Sequence, residues 1–189
     1  MNNFGEDIER CLAVLKTGGL ILYPTDTIWG IGCDATNAIA VKKVYALKQR
    51  QESKTMIIMV ADEWEVMQHA ANVDPQVFIY LDNASRPTTV IYEGAIDIAE
   101  NLENKDGTIA IRIVKDDFCR HLIRRFGKPI VSTSANISGV ASPASFTAIS
   151  TEIKKGVDYI VRYRQDDEIP HQPSSVIRWN RDGSVTVLR

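Results

Sequence analysis

The chain has 189 residues, enough for one domain at roughly 100–200 residues each, and 44% of them are hydrophobic against 24% charged. That balance excludes disorder, collagen and coiled coil as global descriptions. Lys plus Arg number 22 and Asp plus Glu 24, a net charge of −2, which argues against a purely electrostatic nucleic-acid binder but leaves a local basic patch open. Cys11, Cys33 and Cys119 are widely spaced with no Cys-x-x-Cys pair, so reduced thiols in a cytosolic protein are expected rather than a zinc site or a disulfide framework. Residues 1–10 carry Glu6, Asp7 and Glu9 and no apolar run, unlike a signal peptide, and no stretch approaches 18 apolar residues. A cytoplasmic protein with no membrane association is expected.

Along the chain, Ile8, Cys11, Leu12 and Leu15 recur at helical spacing and stop at Gly18-Gly19. Leu20 to Tyr23 is a short apolar run ended by Pro24, read as a buried strand, and Thr25 to Asn37 is read as a polar, glycine-containing loop. Val41, Val44, Tyr45 and Lys48 fit a second helix, and Met56 to Val60 a second strand. Helical stretches follow at Asp62–His69 and Asp74–Asp82, then strands at Thr88–Tyr92 and Thr108–Val114. Phe118, Leu122 and Phe126 place a helix over Asp116–Phe126, with Gly127 as its C-cap. Pro129–Val131 is a strand running into Ser132–Asn136. Val157–Arg162, Ser174–Trp179 and Ser184–Leu188 are strands too, the last two flanking the turn Asn180-Arg181-Asp182-Gly183. Helices alternating with buried strands, then strands pairing at the end, give an α/β (α+β) fold with a mixed sheet, one domain over residues 1–189.

The common catalytic signatures are missing. There is no G-x-x-x-x-G-K-[ST], no H-E-x-x-H around His69, His121 or His171, and no G-x-S-x-G elbow. Gly30-Ile31-Gly32-Cys33-Asp34-Ala35 matches G-x-G-x-x-A, but Pro24 to Trp29 separate it from the preceding strand and the region about 20 residues on is basic. Glycines serving a tight loop are the better reading. His69 and His121 read as helix-surface residues.

Three segments remain. In Tyr23-Pro24-Thr25-Asp26-Thr27, hydroxyls and a carboxylate directly follow a buried strand, where α/β sheets bind ligands, although Thr and Asp are also ordinary turn residues. Between Ala38 and Val60, Lys42, Lys43, Lys48, Arg50 and Lys54 face only Glu52. Cations on a helix C-terminus explain Lys48 and Arg50 but not Lys54; converging Lys and Arg suit a polyphosphate. Ser132-Thr133-Ser134-Ala135-Asn136-Ile137-Ser138-Gly139, with Ser142 beyond, holds more hydroxyls than a helix cap needs and can cradle phosphate oxygens. Arg112, inside an apolar strand, calls for a partner or a ligand, and Ser174-Ser175 opens a late strand. Together these segments describe an anion-binding groove built from several loops.

In that order and spacing, Tyr23–Thr27, Gly30-x-Gly32-Cys33-Asp34-Ala35, Lys48-Gln49-Arg50 and Ser132-Thr133-Ser134-Ala135-Asn136-x-Ser138-Gly139 resemble the YrdC family of L-threonylcarbamoyladenylate synthases, from about Gly18 to Arg189. The resemblance implies a twisted, mostly parallel sheet with flanking helices and a basic concave groove. It implies synthesis of threonylcarbamoyl-AMP and pyrophosphate from L-threonine, bicarbonate and ATP with Mg²⁺, the product passing to a tRNA-modifying threonylcarbamoyl transferase complex. By position it implies Lys48 and Arg50 as the catalytic basic pair. Arg50, Lys54, Thr108, Ser134, Asn136, Ser142 and Arg189 would contact ATP, and Thr27, Arg112, Ser132 and Ser174 would contact threonine. No protein nucleophile is required, because such a reaction runs on positioning and electrostatics.

The chain departs from the family pattern at Gln51-Glu52-Ser53-Lys54-Thr55, at Ser85-Arg86-Pro87-Thr88-Thr89 and at Gln165-Asp166-Asp167-Glu168. Met59 stands where part of the family carries a histidine. Two alternatives stand beside the synthase. One is a non-catalytic paralogue binding double-stranded RNA or ribosomal particles through the same groove, which the −2 charge weakens; the other is a different adenylating or nucleotide-hydrolysing enzyme using the same groove with another acid. Weak RNA binding is compatible with the synthase as well.

Overall fold

The computed structural model describes residues 4–167, 172–180 and 182–189. Ile8, Cys11, Leu12 and Leu15 form the buried side of α1 (Gly5–Lys16), which ends before Gly18 at φ +71°. The chain then runs through β1 (Ile21–Tyr23), β2 (Gly30–Gly32), α2 (Ala38–Leu47), β3 (Ile57–Val60), α3 (Glu63–His69) and α4 (Gln76–Asn83). Next come β4 (Thr88–Glu93), a single 3-10 turn (Glu100–Leu102), β5 (Thr108–Ile113), α5 (Asp117–Phe126) and β6 (Ile130–Ser134). The described chain closes with α6 (Thr151–Lys155), β7 (Tyr159–Ile160), β8 (Ser175–Trp179) and β9 (Val185–Val187).

The strands form one nine-stranded sheet in the order β7-β1-β2-β6-β3-β5-β4-β8-β9. It is mixed, as the sequence suggests. Its parallel pairings are β1 with β7, β3 with β5 and β4 with β8; the other five are antiparallel. The parallel share is therefore smaller than "mostly parallel" implies. The reason is local: β1 returns as β2 after a six-residue loop, and β8 returns as β9 through a hairpin, and connections that short can join only antiparallel strands. Strand β6 sits near the middle and joins β2 to β3. Leu22, Ile31, Ile58, Ile111 and Val131 on these strands are buried in a single core cluster with α1, α2 and α5.

Three expectations need correction. Residues 25–37 are not all loop, because Gly30-Ile31-Gly32 is a buried strand. Its composition reads as a turn, yet the glycines are there for packing. A Cβ on Gly32 would lie 2.7 Å from the Tyr23 ring and 3.0 Å from the Val131 carbonyl. The helix α6 and the 3-10 turn were not foreseen, being too short to show a period. The strand expected over Val157–Arg162 shrinks to Tyr159–Ile160. Elsewhere the caps follow the sequence: Asn37, Asp62, Asp116 and Ser150 each accept a backbone N–H at a helix start, and Gly127 ends α5 at φ +72°. His171 and Arg181 lie outside the described residues. Among the described residues, no helix is long and apolar enough to cross a membrane.

Candidate active site

The antiparallel run of β6 between β2 and β3 brings Ser134 beside Gly30 and Ser132 beside Ile57. The carboxyl ends of β1 and β6 therefore open onto one cleft, where such sheets bind ligands. Its lining includes Thr27, Arg50, Arg112, Ser132, Ser134, Ser142, Ser174 and Arg189. Among the described residues, every charged side chain in that lining is an arginine. The enclosed volume is about 140 Å³, below the roughly 300–1,000 Å³ of drug-sized pockets. It can enclose a small polar molecule and leave a larger one lying along its mouth.

Arg112 is the most constrained of the three arginines. It is 3% exposed, on β5 beside Met59 of β3. Its Nη1 donates to Thr27 Oγ1 at 3.1 Å, its Nη2 to Met59 Sδ at 2.9 Å, and Nη2 lies 3.2 Å from Asp26 Oδ1. The Nε is buried with no acceptor. The hydroxyl directions follow in sequence. Thr25 Oγ1 donates to the Ile28 carbonyl (2.8 Å), so in its 3.0 Å contact with Thr27 the proton belongs to Thr27. Thr27 thus accepts from Arg112 and donates to Thr25. The Tyr23–Thr27 motif is a turn, as its residue types suggest, and that turn also aims Thr27 and the guanidinium. Asp26, quoted with the motif but not assigned to the site, is the acid that pairs with Arg112.

Lys48, Gln49 and Arg50 end α2 in a Schellman arrangement. The Arg50 N–H bonds the Tyr45 carbonyl (3.0 Å), the Gln49 N–H bonds that of Ala46 (3.1 Å), and Gln49 stands at φ +50° where glycine is usual. This reversal separates the two cations. Lys48 is 1% exposed and does not line the cleft. Its ammonium donates to the carbonyls of Ser134 and Asn136, the latter at 2.7 Å, while its own carbonyl accepts from Ser138. Burial, with Arg50 adding a smaller push, lowers its pKa from 10.5 to about 8. Lys48 therefore holds the 134–138 loop in place beneath the cleft. Arg50 reaches the cleft, with Nε and Nη2 donating to the carbonyls of Lys54 (2.6 Å) and Thr55 (2.9 Å).

The other residues singled out from the sequence divide in the same way. Ser174 is buried and in hydroxyl contact with Thr89 at 2.9 Å; Arg189 Nη2 lies 3.4 Å from the Ser174 carbonyl, brought there by the β8–β9 hairpin. Ser132, Ser134 and Ser142 line the cleft. Asn136 does not; its Nδ2 donates to the carbonyls of Ile137 (3.0 Å) and Val140 (2.6 Å), and its Oδ1 is buried without a donor. Thr108 stands one layer back. Asn104 takes a hydrogen bond from the cleft residue Thr55 at 2.6 Å and gives one to Thr108 at 3.0 Å. Lys54 is exposed and also absent from the lining. The structure thus brings together eight of the twelve residues and leaves Lys48, Lys54, Thr108 and Asn136 outside the lining.

The sequence reading missed Trp29 and Thr55, both in the lining. Trp29 packs its ring 4.9 Å from that of Phe146, so the cleft wall depends on a contact 117 positions apart in sequence. The three cysteines are buried and unpaired, and burial pushes each thiol upward, away from nucleophilic use. His69 and His121 contact backbone carbonyls by Nδ1 and stand away from the cleft. Among the described residues no group of three or more His, Cys, Asp or Glu converges as a metal site. The arrangement suits a small anion held by arginine forks and hydroxyls, with further room for charge along the mouth.

The chain is similar to known proteins in sequence and fold. The family model Sua5_yciO_yrdC, described as "Telomere recombination", matches residues 13–189. A threonylcarbamoyl-AMP synthase of Idiomarina loihiensis is 31% identical over 156 residues, covering 81% of this chain and 83% of the relative. Among solved structures, E. coli YciO superposes with a TM-score of 0.83 at 24% identity, covering 97% of this chain and 88% of that one. P. abyssi Sua5 complexed with L-threonine superposes with a TM-score of 0.85 at 22% identity over 97% of this chain. The chain spans only about half (54%) of that protein's length. With the family model covering nearly the whole sequence and the fold shared, the chain belongs to the Sua5/YciO/YrdC family.

Proposed function

We propose that the protein makes L-threonylcarbamoyl-AMP and pyrophosphate from L-threonine, bicarbonate and ATP. The observation that carries this reading is the cleft itself: three arginines and a row of hydroxyls, with no acidic side chain among the described lining residues. The relatives' shared name, threonylcarbamoyl-AMP synthase, supports it.

In this reading the threonine carboxylate takes the unmet Nε edge of Arg112, while Thr27, Ser132 and Ser174 orient its amine and side chain. The amine combines with bicarbonate, losing water, to give an N-carboxylate. That carboxylate attacks the α-phosphorus of ATP and pyrophosphate leaves. Arg50 and Arg189, which line the cleft, take the phosphates and spread the developing charge, with Ser134 and Ser142 as further donors. Lys48 acts through the loop it holds. Mg²⁺ enters as part of the substrate, carried by the phosphates of ATP; the described lining residues include no acidic side chain to hold it. The product is consumed in the cytoplasm by a tRNA-modifying threonylcarbamoyl transferase complex.

The test is pyrophosphate release from ATP and Mg²⁺ with and without L-threonine and bicarbonate. Release that requires both is expected. Release indifferent to threonine, or none while ATP binds, overturns the reading.

A further inference from the structure

We propose that a second cleft, on the opposite face of the sheet, binds a small amphipathic anion, an apolar ring-sized body bearing one carboxylate, phosphate or sulfonate. This cleft lies among α3, α4, the start of β4 and the end of β5. Its volume is about 680 Å³, within the roughly 300–1,000 Å³ of small-molecule sites. The body of its wall is apolar: Trp64, Phe78, Leu81, Pro87, Ile113 and Val114. Trp64 is 66% exposed, which leaves a large flat apolar surface open to a ring.

The charge follows from Arg120, on the first turns of α5, which also lines the cleft. Its Nε is buried with no acceptor, and its side chain has no ion pair among the described residues. A buried donor left unmet is costly, and an anion would recover that cost. The other cations at this cleft are engaged: Lys115 Nζ lies 3.3 Å from the Leu81 carbonyl, and Arg86 Nε donates to Ser175 Oγ. The carboxylates at its edge do not meet Arg120 either. Asp62 caps α3 through the Glu65 N–H (3.2 Å) and lies 3.7 Å from Arg124; Glu63 sits in the first turn of α3, where the helix dipole favours it; Asp82 is exposed at the rim. Arg120 is the cation of this cleft with a buried, unmet donor, and the apolar wall beside it sets the rest of the ligand's chemistry.

The inference is independent of the synthase reaction. Its test is a fluorescence titration of the full chain with 1-anilinonaphthalene-8-sulfonate, two aromatic groups carrying one sulfonate. The expected result is saturable binding at one site per chain, weakened about tenfold by Arg120→Gln, the low end for a charge-assisted hydrogen bond. Trp64→Ala weakens it as well, and saturating ATP plus L-threonine does not displace the probe. The uncharged analogue N-phenyl-1-naphthylamine binds wild type and Arg120→Gln alike. Thermal melting of both variants checks that they fold, and Trp64→Ala, altering an exposed ring, keeps the test alive if Arg120→Gln does not. Absence of saturable binding, equal affinity in wild type and both variants, or displacement by ATP overturns the proposal.

Discussion

On β4 and β5, neighbouring residues serve two different clefts. Thr89 and Arg112 turn toward the polar one, Thr89 through its contact with Ser174, whereas Thr88 and Ile113 turn toward the apolar one. The alternation is the strand period at work. The two sides solve different physical problems. On the polar side, Arg112, Arg50 and Thr27 are held by carbonyls, hydroxyls and a thioether before any ligand arrives, with Asp26 as one paired acid. On the apolar side, shape comes from side-chain volume, and Arg120 leaves its Nε unmet as Arg112 does, but without an ion pair among the described residues. Groups fixed in advance suit a reaction run by positioning, while an open apolar wall suits binding alone.

The sharpest way to break this contrast is Arg112→Met. Pyrophosphate release should fall at least about a hundredfold, and stability by about 3 kcal/mol, because Asp26 loses its cation in a largely buried setting. Adding Asp26→Asn should restore part of the melting temperature and none of the activity. A single variant that loses stability but keeps full activity would remove Arg112 from the site.

Arg50→Ala should lower activity at least about tenfold with little change in melting temperature. Asn136→Ala should lower both activity and melting temperature, because its amide holds the Ile137 and Val140 carbonyls of the loop behind the cleft. Wild-type rates in Arg50→Ala would undo the assignment of the phosphate side.

Lys48→Met should lower stability by leaving the Ser134 and Asn136 carbonyls without a donor. It also carries a pH signature. Wild-type Lys48 has a folded pKa near 8 against 10.5 unfolded, so between those values the unfolded chain holds more protons and stability rises with pH. Below pH 8 the cost of burying the ammonium is fully present; by pH 10.5 it is relieved, a gain of about 3 kcal/mol relative to the variant. Denaturant unfolding of both proteins across that range measures it, and the difference cancels the opposing titration of the buried thiols and tyrosines. A flat difference would mean the lysine is not held as described.

Gln49→Gly should stabilise by roughly 1 kcal/mol, since it relieves a left-handed residue at the helix end and loses only an exposed contact to Glu152. The smallest effect is expected on the far side. Trp64→Ala should leave pyrophosphate release within about twofold and stability within about 0.5 kcal/mol. A large loss of activity would show that the two clefts are coupled through β4 and β5.

Most of this architecture was legible from the sequence because its signals are local. Helix α5 announces itself through Phe118, Leu122 and Phe126 and the Gly127 cap, and β8–β9 through the Asp-Gly turn. The groove was legible because Arg112 sits in an apolar strand and hydroxyls cluster after β6. The residues themselves determined that anionic chemistry was in prospect, and the ordered motifs determined the family. What they could not decide was which polar groups face the ligand and which hold the wall. Lys48 and Arg50 look alike in sequence, yet the left-handed turn at Gln49 sends one into the core to bind carbonyls of a loop 86 and 88 positions away and the other into the cleft. Gly30-Ile31-Gly32 reads as a turn until Tyr23 and β6 close on both sides of it. Arg112 acquires Asp26, Thr27 and Met59 only when two strands and a loop converge. Local propensity and periodicity are written residue by residue, whereas burial, pairing and the direction of a side chain depend on what the rest of the chain places against it.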